Sequence, residues 1–287
     1  MIAITGASGK LGRCVAQALG SMVSPAQVTL GTRNPTGIQD LAAQGFRTAV
    51  ADFDNPSTLR AAFAGAEVVF IICGDAPNDT RMTQHRNAID AARNAGVRRV
   101  VYTSFVNANA KSRFPFALVH EDSEAYLRRS GLSYTLLRNN HFAENLSYPL
   151  AQALKSGTLS LLGANGKVAY IARQDVAAAT AAVLVQPGHE NKAYELTGPE
   201  ALSLLEVAEV ATHAWGKRIV AQDMDVADFR ALLKARGLPP YAIDAQVGIR
   251  LAAEAGEYAG VSDDAERLVC RPVAALDVFV KAFADAT

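Results

Sequence analysis

The segment Thr5-Gly6-Ala7-Ser8-Gly9-Lys10-Leu11-Gly12 has the residue types and spacing to hold a pyrophosphate. It follows an apolar run and opens a helical one. Gly6 permits a tight turn, Gly9 lets backbone approach the phosphates, and Gly12 lets the helix pack close to the strand. The helix start then offers free N–H groups and a positive dipole end to an anion. The G-x-x-G-x-x-G spacing differs from the better known G-x-G-x-x-G, and its placement between strand and helix is what gives it weight.

The second strand indicates which dinucleotide. A site for NAD usually places an acid about 20 residues beyond the turn, where it accepts from the ribose 2′-OH. No Asp or Glu precedes Asp40, and Arg33 stands at the expected strand end. A guanidinium there pairs with a 2′-phosphate that an acid would repel. Lys10 and Arg13 add positive charge on the first helix, so NADPH is expected ahead of NADH. Asp52, after the third strand, is placed to accept from the adenine amino group; the alternative is an acid that caps the following helix.

Acid–base chemistry is less legible. No tyrosine has lysine four residues later, so the Tyr-x-x-x-Lys pair that protonates product in many short-chain dehydrogenases is absent. His120 and Glu124 occupy that helix instead, at i, i+4 on one face. His120 is a candidate proton donor near neutral pH; the alternative is a partly exposed histidine paired with a surface acid. The histidines are dispersed, no metal motif occurs, and no G-x-S-x-G elbow is present. No metal and no flavin are expected, and hydride transfer remains, because the cofactor carries that chemistry.

The elements that must position these groups alternate. Strands are expected at Ile2–Thr5, Val28–Gly31, Thr48–Ala51, Val68–Ile72, Val100–Thr103 and Tyr134–Leu137. Helical runs separate them, with glycines at their ends. Apolar strands covered on both faces argue a Rossmann-type, doubly wound parallel sheet of the α/β class. Beyond Arg138 a helix is expected at Tyr148–Lys155. Then Val168–Ile171, the helix Asp175–Val185 and the strand Ala193–Leu196 read as a return to the sheet. Ser203 and Glu206 have capping-box spacing, Pro239-Pro240 separates two helices, and Pro272 begins the last. The expected division is a cofactor domain over 1–140, regaining 167–198, and a smaller, mostly helical lobe over 141–287 for substrate.

The 287 residues are half hydrophobic, with 28 basic and 28 acidic side chains and no net charge. That balance argues against nucleic acid as a partner. No apolar run approaches the ~18 residues of a membrane span. The cysteines Cys14, Cys73 and Cys270 form no C-x-x-C pair. A cytoplasmic monomer or homodimer with reduced thiols is expected.

Taken together, Thr5–Gly12, Asp52-Phe53-Asp54-Asn55-Pro56, Ala92–Val97, Tyr102-Thr103-Ser104, Tyr134–Asn139, Gly188–Lys192 with Tyr194, and Ser262-Asp263-Asp264 carry a resemblance. The chain resembles the NmrA-like atypical short-chain dehydrogenases, in particular their NADPH-dependent quinone oxidoreductases and triphenylmethane dye reductases. The resemblance implies direct hydride transfer to a quinone or similar aromatic acceptor. It implies cofactor contacts from Gly6, Ser8, Gly9, Lys10, Leu11, Arg33, Asp52, Phe53, Cys73, Gly74 and Asn139. Thr103, Ser104 and Phe105 would flank the nicotinamide, which makes Ser104 a catalytic candidate beside His120. Phe105, His141, Phe142 and Asn145 would meet the acceptor, unless His141 and Phe142 pack between lobes. Two other functions fit the same residues: a redox-sensing regulator that binds the nucleotide without turnover, and a reductase of azo dyes, triphenylmethane dyes or another aromatic substrate.

Overall fold

The computed structural model describes residues 1–285. Among them nine strands follow one another: β1 (Ile2–Ile4), β2 (Val28–Thr32), β3 (Arg47–Val50), β4 (Val68–Ile71), β5 (Arg99–Phe105), β6 (Ser133–Asn139), β7 (Thr158–Leu162), β8 (Lys192–Leu196) and β9 (Val220–Met224). The helices are α1 (Lys10–Gly20), α2 (Gln39–Ala43), α3 (Pro56–Phe63), α4 (Asn78–Asn94), α5 (Ala117–Arg129), α6 (Ser147–Ser156), α7 (Arg173–Val185), α8 (Leu204–Trp215), α9 (Val226–Ala235), α10 (Pro240–Glu254), α11 (Asp264–Val269) and α12 (Leu276–Asp285).

Seven strands form one sheet in the order β3-β2-β1-β4-β5-β6-β8. The pairings of β1 with β2 and β4, of β2 with β3 and of β4 with β5 are parallel. The chain therefore reverses its winding between β1 and β4, and ligands of open α/β sheets lie outside the carboxyl ends of strands at such a point. The expected Rossmann-type α/β class is borne out. Val69, Ile71, Val100 and Tyr102 are fully buried in one core cluster with Leu59, Phe63, Ile89, Leu127 and Leu136. Each such side chain contributes roughly 1.5–3 kcal/mol by leaving water. β3 departs from the apolar pattern: Arg47–Val50 is largely exposed at the sheet edge.

The contacts divide the chain into two compact units. The first is Met1–Phe105, Val119–Arg138 and Val176–Tyr194; the second is Val106–Leu118, Asn139–Asp175 and Glu195–Thr287. Against the expected partition at residue 140, Val106–Leu118 counts with the second unit. Val168–Ile171 is not a strand of the large sheet. It makes only isolated bridges, Val168 to Leu202 and Ile171 to Phe142. Only α7 and β8 return to the sheet.

The second unit holds a small parallel sheet of β7 and β9, which the sequence reading missed. β9 is polar and mostly exposed, so no apolar run marks it. Leu162, Phe229, Leu233, Ile243 and Val247 form its core between β7, α9 and α10. The Ser203–Glu206 capping box is present at the start of α8. The last helix begins at Leu276 rather than Pro272. Between them the Glu266 and Asp175 carboxylates accept from the N–H groups of Val273 and Ala274, outside any helix.

Close packing of α1 on β1 depends on one missing side chain. A Cβ on Gly12 would lie 2.4 Å from the Gly6 oxygen and 2.8 Å from the Ala7 Cα. Both neighbours are backbone and cannot swing away. Gly12→Ala is expected to lower Tm by about 5 °C, measured by calorimetry. Gly260→Ala, where a Cβ meets nothing within 4 Å, should shift Tm by no more than ~1 °C.

Candidate functional site

The turn after β1 is built from the inside. Gly6 takes a left-handed conformation, φ 64°. The Ala7 N–H donates to the Gly31 oxygen (3.0 Å) and the Gly9 N–H to the Gly6 oxygen (3.0 Å). Gly9 then caps α1 in an extended conformation, without a side-chain cap and with no acid in the first turn. The first free backbone donors of α1 are those of Lys10, Leu11 and Gly12, since the ladder begins with Arg13 N–H to the Gly9 oxygen (3.0 Å). An uncapped helix start with no acid beside it suits an anion, so the residues present fit a dinucleotide pyrophosphate.

A cavity of about 250 Å³ adjoins this turn within the first unit. Its lining includes Gly6, Ser8, Gly9, Arg33, Asp52, Phe53, Cys73 and Gly74. These eight expected cofactor residues are thus brought together. Thr32, Asp54, Ile72, Asp75 and Gln84 also line it and were not foreseen. Thr32 was findable, because it is the last residue of β2 beside Arg33; its Oγ1 lies 2.9 Å from Ser8 Oγ. Gln84 comes from a helix far along the chain, and its amide donates to both Asp54 carboxylate oxygens (3.1 Å). Lys10 is exposed and Leu11 sends its side chain into the core, so any ligand contact of Leu11 is through backbone.

Arg33 is exposed and, among the described residues, makes no hydrogen bond or ion pair. Its guanidinium is available to an incoming phosphate. Arg13 behaves differently from expectation: it donates to the Asp40 carboxylate (2.7 Å) and to the Gly37 oxygen (2.5 Å), which neutralises its charge locally. One oxygen of Asp52 accepts from the Asp54 N–H (3.1 Å) in its own turn.

Two threonines fix the loop after β4. Thr5 Oγ1 accepts from the Ile72 N–H (2.9 Å), and Thr103 Oγ1 accepts from the Cys73 N–H (2.9 Å). Both side chains are buried. Strands on either side of β4 thereby hold Ile72-Cys73-Gly74 in place. Thr103, Ser104 and Phe105 close β5 but do not line this cavity.

The structure places His120 and Ser104 in buried networks at the end of β5. His120 is 4% exposed and does not pair with Glu124. Its Nδ1 lies 3.1 Å from the Tyr102 hydroxyl, which is 3.2 Å from His85 Nδ1. Its ring stacks on Phe105 at 6.2 Å between centroids. Burial, reinforced by Arg81 and His85, holds its pKa well below the ordinary histidine value. Burial thus disfavours the imidazolium form from which His120 would act as an ordinary acid near neutral pH. Ser104 Oγ donates to Glu124 (2.6 Å), whose carboxylate also accepts from Arg128 (2.8 Å) and Arg138 (2.7 Å). Burial would raise the pKa of Glu124, but Arg138, Ser104 and Arg128 together keep it below the usual value. The Ser104 proton is therefore committed to a carboxylate.

In the second unit His141 and Asn145 line a separate cavity of about 240 Å³. Phe142 does not; the Arg173 guanidinium covers its ring at 5.2 Å. Asn139 is buried, and its backbone oxygen accepts from the Val106 N–H (3.1 Å). Among the described residues no cluster of His, Cys, Asp or Glu could hold a metal ion, and no helix is long and apolar enough to cross a membrane.

A family described as NAD(P)H-binding matches residues 6–187, which contain the turn, Arg33 and the loop after β4. The chain belongs to the NAD(P)H-binding family. It is 39% identical to quinone oxidoreductase 2 of Escherichia coli strain K12 over 268 residues, 93% of this chain and 92% of that protein. The crystal structure of the E. coli NADPH-dependent quinone oxidoreductase QOR2 with NADPH matches with a TM-score of 0.93 and 37% identity, covering 99% of this chain and 100% of that one. Citrobacter sp. triphenylmethane reductase with NADP(H) matches at 0.92 and 32%, covering 99% and 100%. The expected kinship with NmrA-like reductases is borne out, and the chain is an NAD(P)H-dependent oxidoreductase.

The buried histidines make a prediction about pH. Burial first, then Arg81, lowers His85 from 6.5 to about 3; burial, then Arg250, does the same to His141. Unfolding restores the ordinary value, so below pH 6.5 the unfolded chain binds more protons than the folded one. Stability should be fully present above that value and fall as pH drops toward the folded values. Calorimetry should show a falling Tm from about pH 6.5 to pH 5, while the ring signals of His85 and His141 in NMR stay unprotonated over that range.

Proposed function

We propose that the chain is an NADPH-dependent reductase passing hydride directly to a quinone or similarly conjugated acceptor, without flavin. The observation that carries this reading is the uncapped start of α1 beside an unpaired Arg33, with no acid at the end of β2. Backbone N–H groups of Lys10 and Leu11 hold the pyrophosphate. Arg33 takes the 2′-phosphate through paired, charge-assisted bonds. The second oxygen of Asp52 accepts from the adenine amino group, with Phe53 beside it. Cys73, Gly74, Thr103 and Asn139 complete the cofactor contacts, and Phe105, held against His120, flanks the nicotinamide.

The bound dinucleotide supplies the hydride. The protein supplies orientation and a site shielded from water. Reduction of a quinone by one hydride and one proton gives a hydroquinone. The hydroquinone anion is weakly basic, and with His120 neutral and Ser104 bonded to Glu124 the proton comes from solvent. His141 and Asn145, on the cavity of the second unit, contact the acceptor. That preformed cavity favours turnover over a sensor role.

The decisive experiment follows reduced-nicotinamide absorbance with purified protein whose spectrum lacks flavin bands, in the presence of naphthoquinone. Rapid oxidation of NADPH is expected. Tight NADPH binding with no turnover across quinones and dyes would replace this reading with the regulatory one.

Two variants probe the parts. Arg33→Asp should weaken NADPH by about a hundredfold and NADH by less than threefold, measured as Kd; equal losses would remove Arg33 from the 2′-phosphate. His120→Phe should retain kcat within about threefold, with a flat profile from about pH 6 to pH 8. A hundredfold loss in a folded variant would restore an acid–base role.

A further inference from the structure

The cavity of the second unit has an unusual charge balance. Its walls are apolar and aromatic, with Leu161, Phe229, Leu233, Ile249, Tyr148 and Tyr170 among them. No Asp or Glu lines it, whereas Arg236 and Arg250 do.

Arg250 is 5% exposed. Its Nε donates to the Leu162 oxygen (2.7 Å), its Nη2 to the Gly163 oxygen (3.1 Å) and its Nη1 to the Tyr170 hydroxyl (3.4 Å). All three acceptors are neutral. A guanidinium has five N–H donors, so the bonds on the page leave two for another acceptor. Among the described residues no carboxylate pairs with Arg250. A buried cation normally carries a counter-ion, because burial without one is strongly unfavourable. Arg236 lies 3.8 Å over the Tyr148 ring, likewise without an acid partner among the described residues. His141, lowered to about 3 by burial and then by Arg250, adds no further positive charge at neutral pH.

The complement of such a cavity is a flat apolar body with an acidic substituent. We infer that the second unit binds an aromatic organic anion, a carboxylate or sulfonate, with its ring against the Tyr170 and Phe229 wall and its acidic group drawn to Arg250 and Arg236. As a statement about the acceptor this rests on the reductase reading: the reducible ring would carry the acidic group. As a statement about the cavity it stands without turnover.

The test uses the full chain and two redox-silent probes, naphthoate and neutral naphthol, in titration calorimetry at low salt. Naphthoate should bind at least about tenfold tighter than naphthol, because a charge-assisted bond exceeds a neutral one by that margin. Arg236→Met should reduce that preference several-fold, and added salt should reduce it further. Arg250→Lys, which keeps the charge and loses the fork, should weaken naphthoate with little effect on naphthol; Tm checks that each variant is folded. Equal affinities for the two probes, no binding of either at millimolar concentration, or a preference untouched by both substitutions would overturn the inference. A second arm compares KM for a sulfonated naphthoquinone with that of its neutral parent. Equal KM values would remove the acceptor claim. Absence of turnover alongside naphthoate binding would refute the reductase reading and leave the cavity assignment standing.

Discussion

The rest of the site depends on how closely the backbone of α1 approaches the turn that precedes it. With no side chain at Gly12, the first helical turn rests directly on Gly6 and Ala7. That contact fixes where the free N–H groups of Lys10 and Leu11 point. Because Gly9 brings no capping side chain, those donors remain for a ligand instead of being satisfied internally. The topology adds the location. The turn sits on β1, where the winding reverses toward β4. Thr5 and Thr103 reach across from the strands flanking β4 to hold the next loop. A rigid crevice results from backbone geometry and two hydroxyl groups, with few charged residues needed.

Polar groups beneath the end of β5 serve rigidity in the same way. Tyr102 sits between His85 and His120 in a buried chain, and Glu124 gathers Ser104, Arg128 and Arg138. Each has the outward signs of an acid–base centre. Burial disfavours the cation of His120, since an enclosed imidazole loses the solvation of its charge. Ion pairing decides otherwise for Glu124, since two guanidinium groups stabilise the carboxylate. Both networks support the backbone of Thr103–Phe105 and hold ring and loop positions steady. A catalyst that relies on orientation benefits from such order.

Local chemistry was legible in the sequence; partnership across the chain was not. The glycine turn, Arg33 and the alternation of strands and helices are short-range patterns, and the structure realises them at the expected places. The charge of Arg13 was misjudged because its partner, Asp40, lies on another element. His120 and Glu124 share a helix face, and spacing offers Arg128 to Glu124, but Tyr102 and Ser104 from β5 and Arg138 from β6 are partners that spacing does not reveal. Val168–Ile171 has the composition of a buried strand but finds only bridge partners, and β9 finds one despite its polarity. The cavity around Arg250 was invisible, because its acid-free lining is assembled from distant segments.

The chemistry also narrows the acceptors this fold can reduce. An enzyme that protonates its product with a poised side chain can reduce an isolated carbonyl, whose alkoxide is strongly basic. Here no such side chain is free at the end of β5: the imidazole is neutral and enclosed, and the serine proton is held by a carboxylate. Only acceptors whose reduced form is stable as an anion, or needs no proton, react without that help. Extended conjugation is what stabilises such an anion. On the proposed reading, the lack of a poised acid at the end of β5 would favour acceptors whose reduced form is stable as an anion.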